Sequence, residues 1–262
     1  MDDVTFGRTG LKVSRLSIGT GTNGYAGRSE QTKLGIEGLA ALLHQGYELG
    51  VNFWDAADGY GSHAHLAQAL KGLPRDKIVI ATKTEAHTAD QATRDIERYL
   101  RELQTDVIDV VLLHYRTAGD WPRRSAGAME ALSRAKEKGL IRAVGVSCHG
   151  FAPLKAAAQS DWVEAILVRI NYAGKNMDAP PDKVAPVIEQ MYRSGKAIYG
   201  MKVMGAGALR QDPRRAIDYV LGLGTVHALT IGVTSVAELE QNAKLVEEAS
   251  PRYPLQSLAP VR

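Results

Sequence analysis

Asp55, Lys83, His114, Ser147, Arg169 and Lys202 stand at or near the C-terminal ends of six different short apolar runs. Beside Asp55, the segment Ala56-Ala57-Asp58-Gly59-Tyr60-Gly61 adds a phenol flanked by glycines. A phenol ionises near pH 10 and is a slow proton donor at pH 7, but a lysine ammonium held close favours the phenolate and lowers that pKa. With Asp55 keeping Lys83 charged and in place, Tyr60 could give a proton to a carbonyl oxygen as hydride reaches its carbon, which is general acid catalysis. His114 would orient or polarise the same oxygen. Each residue taken alone reads equally well as a strand end reaching solvent.

Such a site needs elements that bring distant residues to one face. Candidate strands at Leu16-Thr20, Val51-Asp55, Ile78-Lys83, Ile108-His114, Ala143-Ser147, Ala165-Ile170, Ala197-Val203 and Ala228-Val233 alternate with amphipathic stretches near 29–49, 62–71, 88–103, 124–138, 150–159, 182–194, 213–222 and 235–248. Eight βα units in 262 residues take about 33 residues each, the size of one such repeat. The expected fold is α/β: a (β/α)8 TIM barrel in one domain, residues 1–262, with active-site groups at the C-terminal ends of its strands. Val4-Phe6 and Leu11-Val13 around Gly-Arg-Thr-Gly predict an N-terminal β-hairpin with a four-residue loop, capping the barrel bottom.

In order and spacing these residues resemble the aldo-keto reductase superfamily. The resemblance runs from Gly7-Arg8-Thr9-Gly10-Leu11-Lys12-Val13-Ser14 through Asp55-Ala56-Ala57 with Tyr60-Gly61, Thr82-Lys83 and Leu113-His114 to Gly145-Val146-Ser147. It implies a catalytic tetrad of Asp55, Tyr60, Lys83 and His114, and NADP(H) or NAD(H) as cofactor. The implied cofactor contacts are Gly19, Thr20, Ser147, Cys148, Arg169, Met201, Lys202, Gly205, Gly207, Thr234, Ser235, Glu238 and Asn242. Gly205-Ala206-Gly207 reads either as a phosphate cradle or as a plain tight turn, and Lys202 either as a phosphate ligand or as a solvated strand-end lysine. Thr234 or Ser235 can cap the last helix, whose N-terminus would attract phosphate.

Several positions depart from the family pattern. Cys148 stands where an Asn usually holds the nicotinamide carboxamide, and Arg169 where a Gln completes that grip; a guanidinium only donates hydrogen bonds. Met201 replaces an aromatic that stacks on the nicotinamide. Counting back from Asn242, the Lys and Arg that usually bind the 2′-phosphate of NADPH fall on Gly232 and Glu238. A carboxylate there repels phosphate and could accept from a ribose hydroxyl, so NADH is expected to serve at least comparably to NADPH.

Composition narrows the alternatives. With 45% hydrophobic and 23% charged residues the chain is expected to be globular, and no apolar run reaches membrane-spanning length. Met1-Asp2-Asp3 lacks the opening of a signal peptide, so a soluble, cytoplasmic protein is expected. A net charge of +3 gives no reason to expect nucleic acid as a partner, and the lone Cys148 excludes an intramolecular disulfide. His63-Ala64-His65 looks like a metal pair, but on a helix its rings would point about 200° apart, and no metal is expected. Small carbonyl compounds are the expected substrates, with Tyr25, Tyr115, Trp121 and Tyr172 bordering the opening, whereas Trp54 is expected to pack against helices. Twelve residues follow Ser250, too few for a lid, so a shallow pocket walled by Tyr115–Gly127 and the loops near Tyr25 and Tyr172 is expected. The second reading is a cofactor-sensing regulatory or interaction subunit with this barrel and negligible turnover.

Overall fold

The computed structural model describes Met1 and residues 3–257. Eight parallel strands, β3 (Leu16–Gly19), β4 (Phe53–Asp55), β5 (Val79–Thr84), β6 (Ile108–Arg116), β7 (Ile141–Cys148), β8 (Ala165–Arg169), β9 (Ala197–Met201) and β10 (Ala228–Gly232), form a closed barrel in which β10 pairs with both β9 and β3. Around them lie α1 (Gly35–Glu48), α2 (His63–Leu70), α3 (Ala89–Leu103), α4 (Trp121–Arg124), α5 (Ala126–Glu137), α6 (Phe151–Gln159), α7 (Pro181–Arg193), α8 (Pro213–Gly222) and α9 (Val236–Ala249). The helix expected near 124–138 is α5, and a short additional helix, α4, precedes it across Ser125.

Strand alternation divides the apolar residues into two separate cores. Outward residues such as Leu16, Ile18, Trp54, Ile80, Val111, Val146, Ile166, Ile198 and Leu229 join the helices in one large cluster. Inward residues, among them Phe53, Val79, Val110, Leu112, Leu167 and Tyr199, form a second cluster inside the barrel. The inner face is apolar toward the strand N-termini. At its other end the same alternation presents Asp55, Lys83, His114, Ser147 and Arg169.

The hairpin is present, as β1 (Asp3–Thr5) and β2 (Lys12–Ser14), with a longer connection than the sequence suggested because Gly7–Thr9 forms a 3₁₀ turn. It seals the bottom of the barrel. The Arg8 N–H donates to Gly195 O at 2.7 Å, just ahead of β9. Phe6, wholly buried, inserts its ring 5.4 Å from Phe53 and 5.9 Å from Tyr199. Many inner positions are small (Ser17, Ala81, Ala143, Ala165, Ala197, Ala228), so these three rings fill what would otherwise be a void. Phe6→Ala should therefore destabilise the fold by about 3–5 kcal/mol in a denaturant titration, as deletion of a buried aromatic does. A loss below about 1 kcal/mol would show that the ring is not part of the barrel core.

Candidate active site

The side chain of Lys83 is fully buried. Its Nζ donates to Asp55 Oδ2 at 2.8 Å and to Ala56 O at 2.6 Å. Tyr199, one layer lower, donates its hydroxyl to Asp55 Oδ1 at 2.9 Å, so both carboxylate oxygens are engaged. A charge pair this far from water is tolerable because its ammonium and both carboxylate oxygens have partners. Lys83 Nζ lies 4.9 Å from the centre of the Tyr60 ring, which meets the His114 ring edge-on at 5.8 Å. The structure thus brings the four tetrad candidates together.

Tyr60 ends a 3₁₀ turn, Asp58–Tyr60, and is packed under the loop after β3. A Cβ on Gly21 would fall 2.2 Å from the Tyr60 ring, and one on Gly24 2.4 Å from it, so only glycine lets the backbone lie this close. Burial is the largest influence on the phenol and raises its pKa, while Lys83 pulls the other way. The net lowering expected from the sequence is not met, because the loss of water outweighs the nearby ammonium. Burial, together with the positive charge of Lys83, lowers His114 to about 2, so its imidazole is neutral. Alternation along β6 turns it inward, in phase with Val110 and Leu112, and just beyond it the ladder to β7 slips between Leu113 and Arg116, where Tyr115 takes a positive φ of 55°.

The helix α3 holds the elements that carry Lys83 and Tyr60. Tyr99 donates to Lys83 O at 3.3 Å, and Thr84 donates to Asp95 at 2.6 Å. Arg98 grips Asp58 through both guanidinium nitrogens at 2.7 and 2.8 Å, and also bonds Asp95 and Glu102. Glu102 in turn accepts from His63 Nδ1 at 2.7 Å, while His63 Nε2 lies 2.7 Å from the Thr82 hydroxyl. His63 is therefore a strut. No group of three or more potential metal ligands occurs among the described residues.

A cavity of about 640 Å³ runs outward from Asp55 and Tyr60 between the ends of β9, β10 and β3. Of the expected cofactor residues, Gly19, Met201, Lys202, Gly207, Thr234, Glu238 and Asn242 line it, with Thr22, Asn23, Gln31, Arg210 and Thr230. Ser147 and Arg169 are not among its lining residues but are register neighbours of Leu167 and Met201, which are. Gly205 is buried in the 3₁₀ turn below Gly207. Ser235 caps α9 by accepting from the Glu238 N–H at 3.3 Å, and Glu238 Oε2 accepts from the Thr234 N–H at 2.8 Å. A carboxylate therefore already sits at the helix N-terminus expected to attract phosphate.

Four expected contacts are corrected. Thr20 faces away from the cavity, its hydroxyl bonded to Asp55 O and Ser62. Cys148 points outward into the helical layer, where burial pushes its thiol well above the usual range, because it is out of phase with Ser147. Trp121 is 1% exposed, with its indole N–H bonded to Pro153 O, and belongs to the core between α4 and α6. Tyr172 lies under the Arg215 guanidinium at 4.2 Å in a separate surface depression with Asp212 and Tyr253. Tyr115 packs beside His114 with ring centres 6.5 Å apart, and Tyr25, 83% exposed, is on the loop over Tyr60. Sequence reasoning missed Tyr199, although alternation back from Met201 marks it as inward; nothing local marks Arg98 or Gln31.

A model of the Aldo/keto reductase family matches residues 17–220. The chain is 23% identical to L-galactose dehydrogenase of Arabidopsis thaliana, over 92% of this chain and 87% of that one. It is 24% identical to the NADH-specific methylglyoxal reductase of Escherichia coli, over 56% of this chain and 52% of that one. Its fold superposes on the crystal structure of an aldo-keto reductase from Pseudomonas aeruginosa with a TM-score of 0.79, at 27% identity over 94% of both chains.

Two buried histidines and the half-buried His149 are shifted down: His114 to about 2, His149 to about 3 and His227 to about 4, loss of water being the largest cause in each. The unfolded chain takes up these protons near pH 6.5, whereas the folded one does not until far lower pH. Their neutral burial is thus compatible with full stability above about pH 6.5, and stability is lost as the pH falls, by up to about 1.4 kcal/mol per pH unit for each. Tm should decline steadily from pH 6.5 to 4.5, and the ring proton shifts of these residues should show no midpoint between pH 5 and 8. A native-state midpoint near 6.5 for His114 would contradict its burial as a neutral ring.

Proposed function

The chain belongs to the aldo/keto reductase family, and from that membership we propose that it reduces an aldehyde or ketone to an alcohol with NADPH or NADH, on one barrel domain, Tyr60 being the general acid. One observation carries this reading. The buried Lys83 joins Asp55 on one side to the Tyr60 ring on the other. The bound dinucleotide would supply the hydride; the residues around Tyr60 manage the proton. Tyr60 is a neutral phenol in the site without substrate, since burial keeps its pKa up. Negative charge developing on a carbonyl oxygen beside it draws the phenolic proton across, and the Lys83 ammonium stabilises the phenolate left behind. Asp55 holds Lys83 in place, Tyr199 holds Asp55, and neutral His114 offers the oxygen a hydrogen bond without a competing charge.

The elongated cavity fits an extended dinucleotide whose nicotinamide end would meet Met201, with Gly207, Lys202 and Arg210 available to phosphates. Glu238 at the outer end disfavours a 2′-phosphate, which supports use of NADH. The sensor reading keeps one observation in its favour: Cys148 is turned out of the site, so the family's carboxamide grip is absent at that position. Cofactor binding without turnover across a panel of aldehydes would favour it.

Tyr60→Phe should lower kcat by about 10²–10⁴-fold while leaving dinucleotide affinity nearly intact; unchanged turnover would remove Tyr60 from its role. Arg98 touches no reacting atom and acts as a positioning residue. Arg98→Met should cut kcat by roughly tenfold or more with dinucleotide Kd unchanged, and Arg98→Lys should recover part of it. The kcat/KM with NADPH should exceed that with NADH by no more than about a hundredfold. A larger preference for NADPH would mean that Glu238 does not face the 2′ position.

A further inference from the structure

With Cys148 facing the helices, the inner end of the cavity needs another partner for an amide. The backbone supplies one. The His149 N–H donates to Arg116 O at 2.8 Å, so the chain still follows β6 past the end of β7, and alternation turns the His149 ring to the same side as Ser147. That ring lies 6.2 Å from His114 and 4.3 Å from Tyr115, at the tetrad's rim. Below it, the Ser147 hydroxyl is buried with no hydrogen-bond partner among the described residues.

Arg169 determines which protonated form His149 takes. One guanidinium nitrogen is hydrogen-bonded to His149 Nδ1, and another to Asp178 Oδ1 at 3.1 Å, with the Asp178 side chain only 5% exposed. Arginine has no acceptor, so Nδ1 must be the lone-pair nitrogen, and a neutral ring must carry its hydrogen on Nε2. Burial and the charges of Arg169, Lys202 and Lys83 keep the ring neutral. His149 therefore presents a fixed Nε2–H donor with no bonded partner among the described residues.

We propose that His149 and Ser147, with Arg169 and Asp178 locking the His149 tautomer, form the grip for the nicotinamide carboxamide in this chain. His149 Nε2–H donates to the carboxamide oxygen, and the Ser147 hydroxyl, able to accept, takes the amide N–H. Arg169 is then a positioning residue and not itself a carboxamide ligand. This rests on the reading of the protein as a dinucleotide-dependent reductase.

The experiment compares NADH with ADP-ribose, which lacks the nicotinamide, by isothermal titration calorimetry. His149→Phe should weaken NADH about tenfold and leave ADP-ribose unchanged, whereas His149→Asn, which keeps an N–H donor, should stay within about threefold of the wild type. Long-range ¹H–¹⁵N spectra should show His149 as the Nε2–H tautomer, becoming a mixture in Arg169→Met. An unchanged NADH affinity in His149→Phe, or equal weakening of both ligands, overturns the grip. An unchanged tautomer in Arg169→Met overturns the lock. If the wild type binds ADP-ribose but gains nothing from the nicotinamide of NADH or NADPH, the grip falls; if it binds none of the three, the dinucleotide reading falls with it.

Discussion

The interaction on which the site depends is the buried pair of Lys83 and Asp55. Placing either charge alone inside the barrel would cost several kcal/mol, and each is compensated by the other and by the groups around them. Ala56 O takes a second hydrogen from the ammonium, and the Tyr199 hydroxyl satisfies the carboxylate oxygen that Lys83 leaves free. The pair consequently cannot shift without orphaning a charge. Its rigidity passes to Tyr60, whose ring lies against the ammonium.

That rigidity requires a particular barrel. Tyr199 joins two regions: its ring packs on Phe6 and Phe53 in the apolar lower half, and its hydroxyl holds Asp55 at the base of the polar upper half. The hairpin at the bottom is thus coupled through one side chain to the chemistry at the top. On the outside, α3 grips both Lys83 and Asp58, so the ammonium and the phenol are referenced to the same helix. Two constraints from opposite sides of the barrel wall fix the distance that proton transfer needs.

Much of this was legible in the sequence, and what escaped did so for definable reasons. The eight strands and the convergence of Asp55, Lys83 and His114 follow from apolar runs that end in polar residues, a pattern each strand carries locally. Strict alternation along the strands also contains more than was read from it: Thr20 and Cys148 are out of phase with the inner face, and Tyr199 is in phase. Trp121 and Tyr172 escaped because a loop in the sequence has no facing side; only the packed structure shows that one loop indole bonds Pro153 and that the other ring belongs to a depression on the flank. Arg98 and His149 act through partners 40 and 20 positions away, Asp58 and Arg169, and nothing local announces such a pairing.

The charges at the mouth follow one electrostatic rule. Lys83, Arg116, Arg169 and Lys202 surround two histidines, and with burial they hold both rings neutral. Protonating either ring would add a cation to a region already rich in them, so the imidazoles can donate hydrogen bonds but take up no proton. The same positive field lowers the energy of an anion, and the reaction proposed passes through one, as charge builds on the carbonyl oxygen before Tyr60 delivers its proton. In such a field a charged histidine would compete with Tyr60 as proton donor to that oxygen. Neutral rings leave the phenol as the one group at the oxygen whose proton transfer the ammonium directly assists.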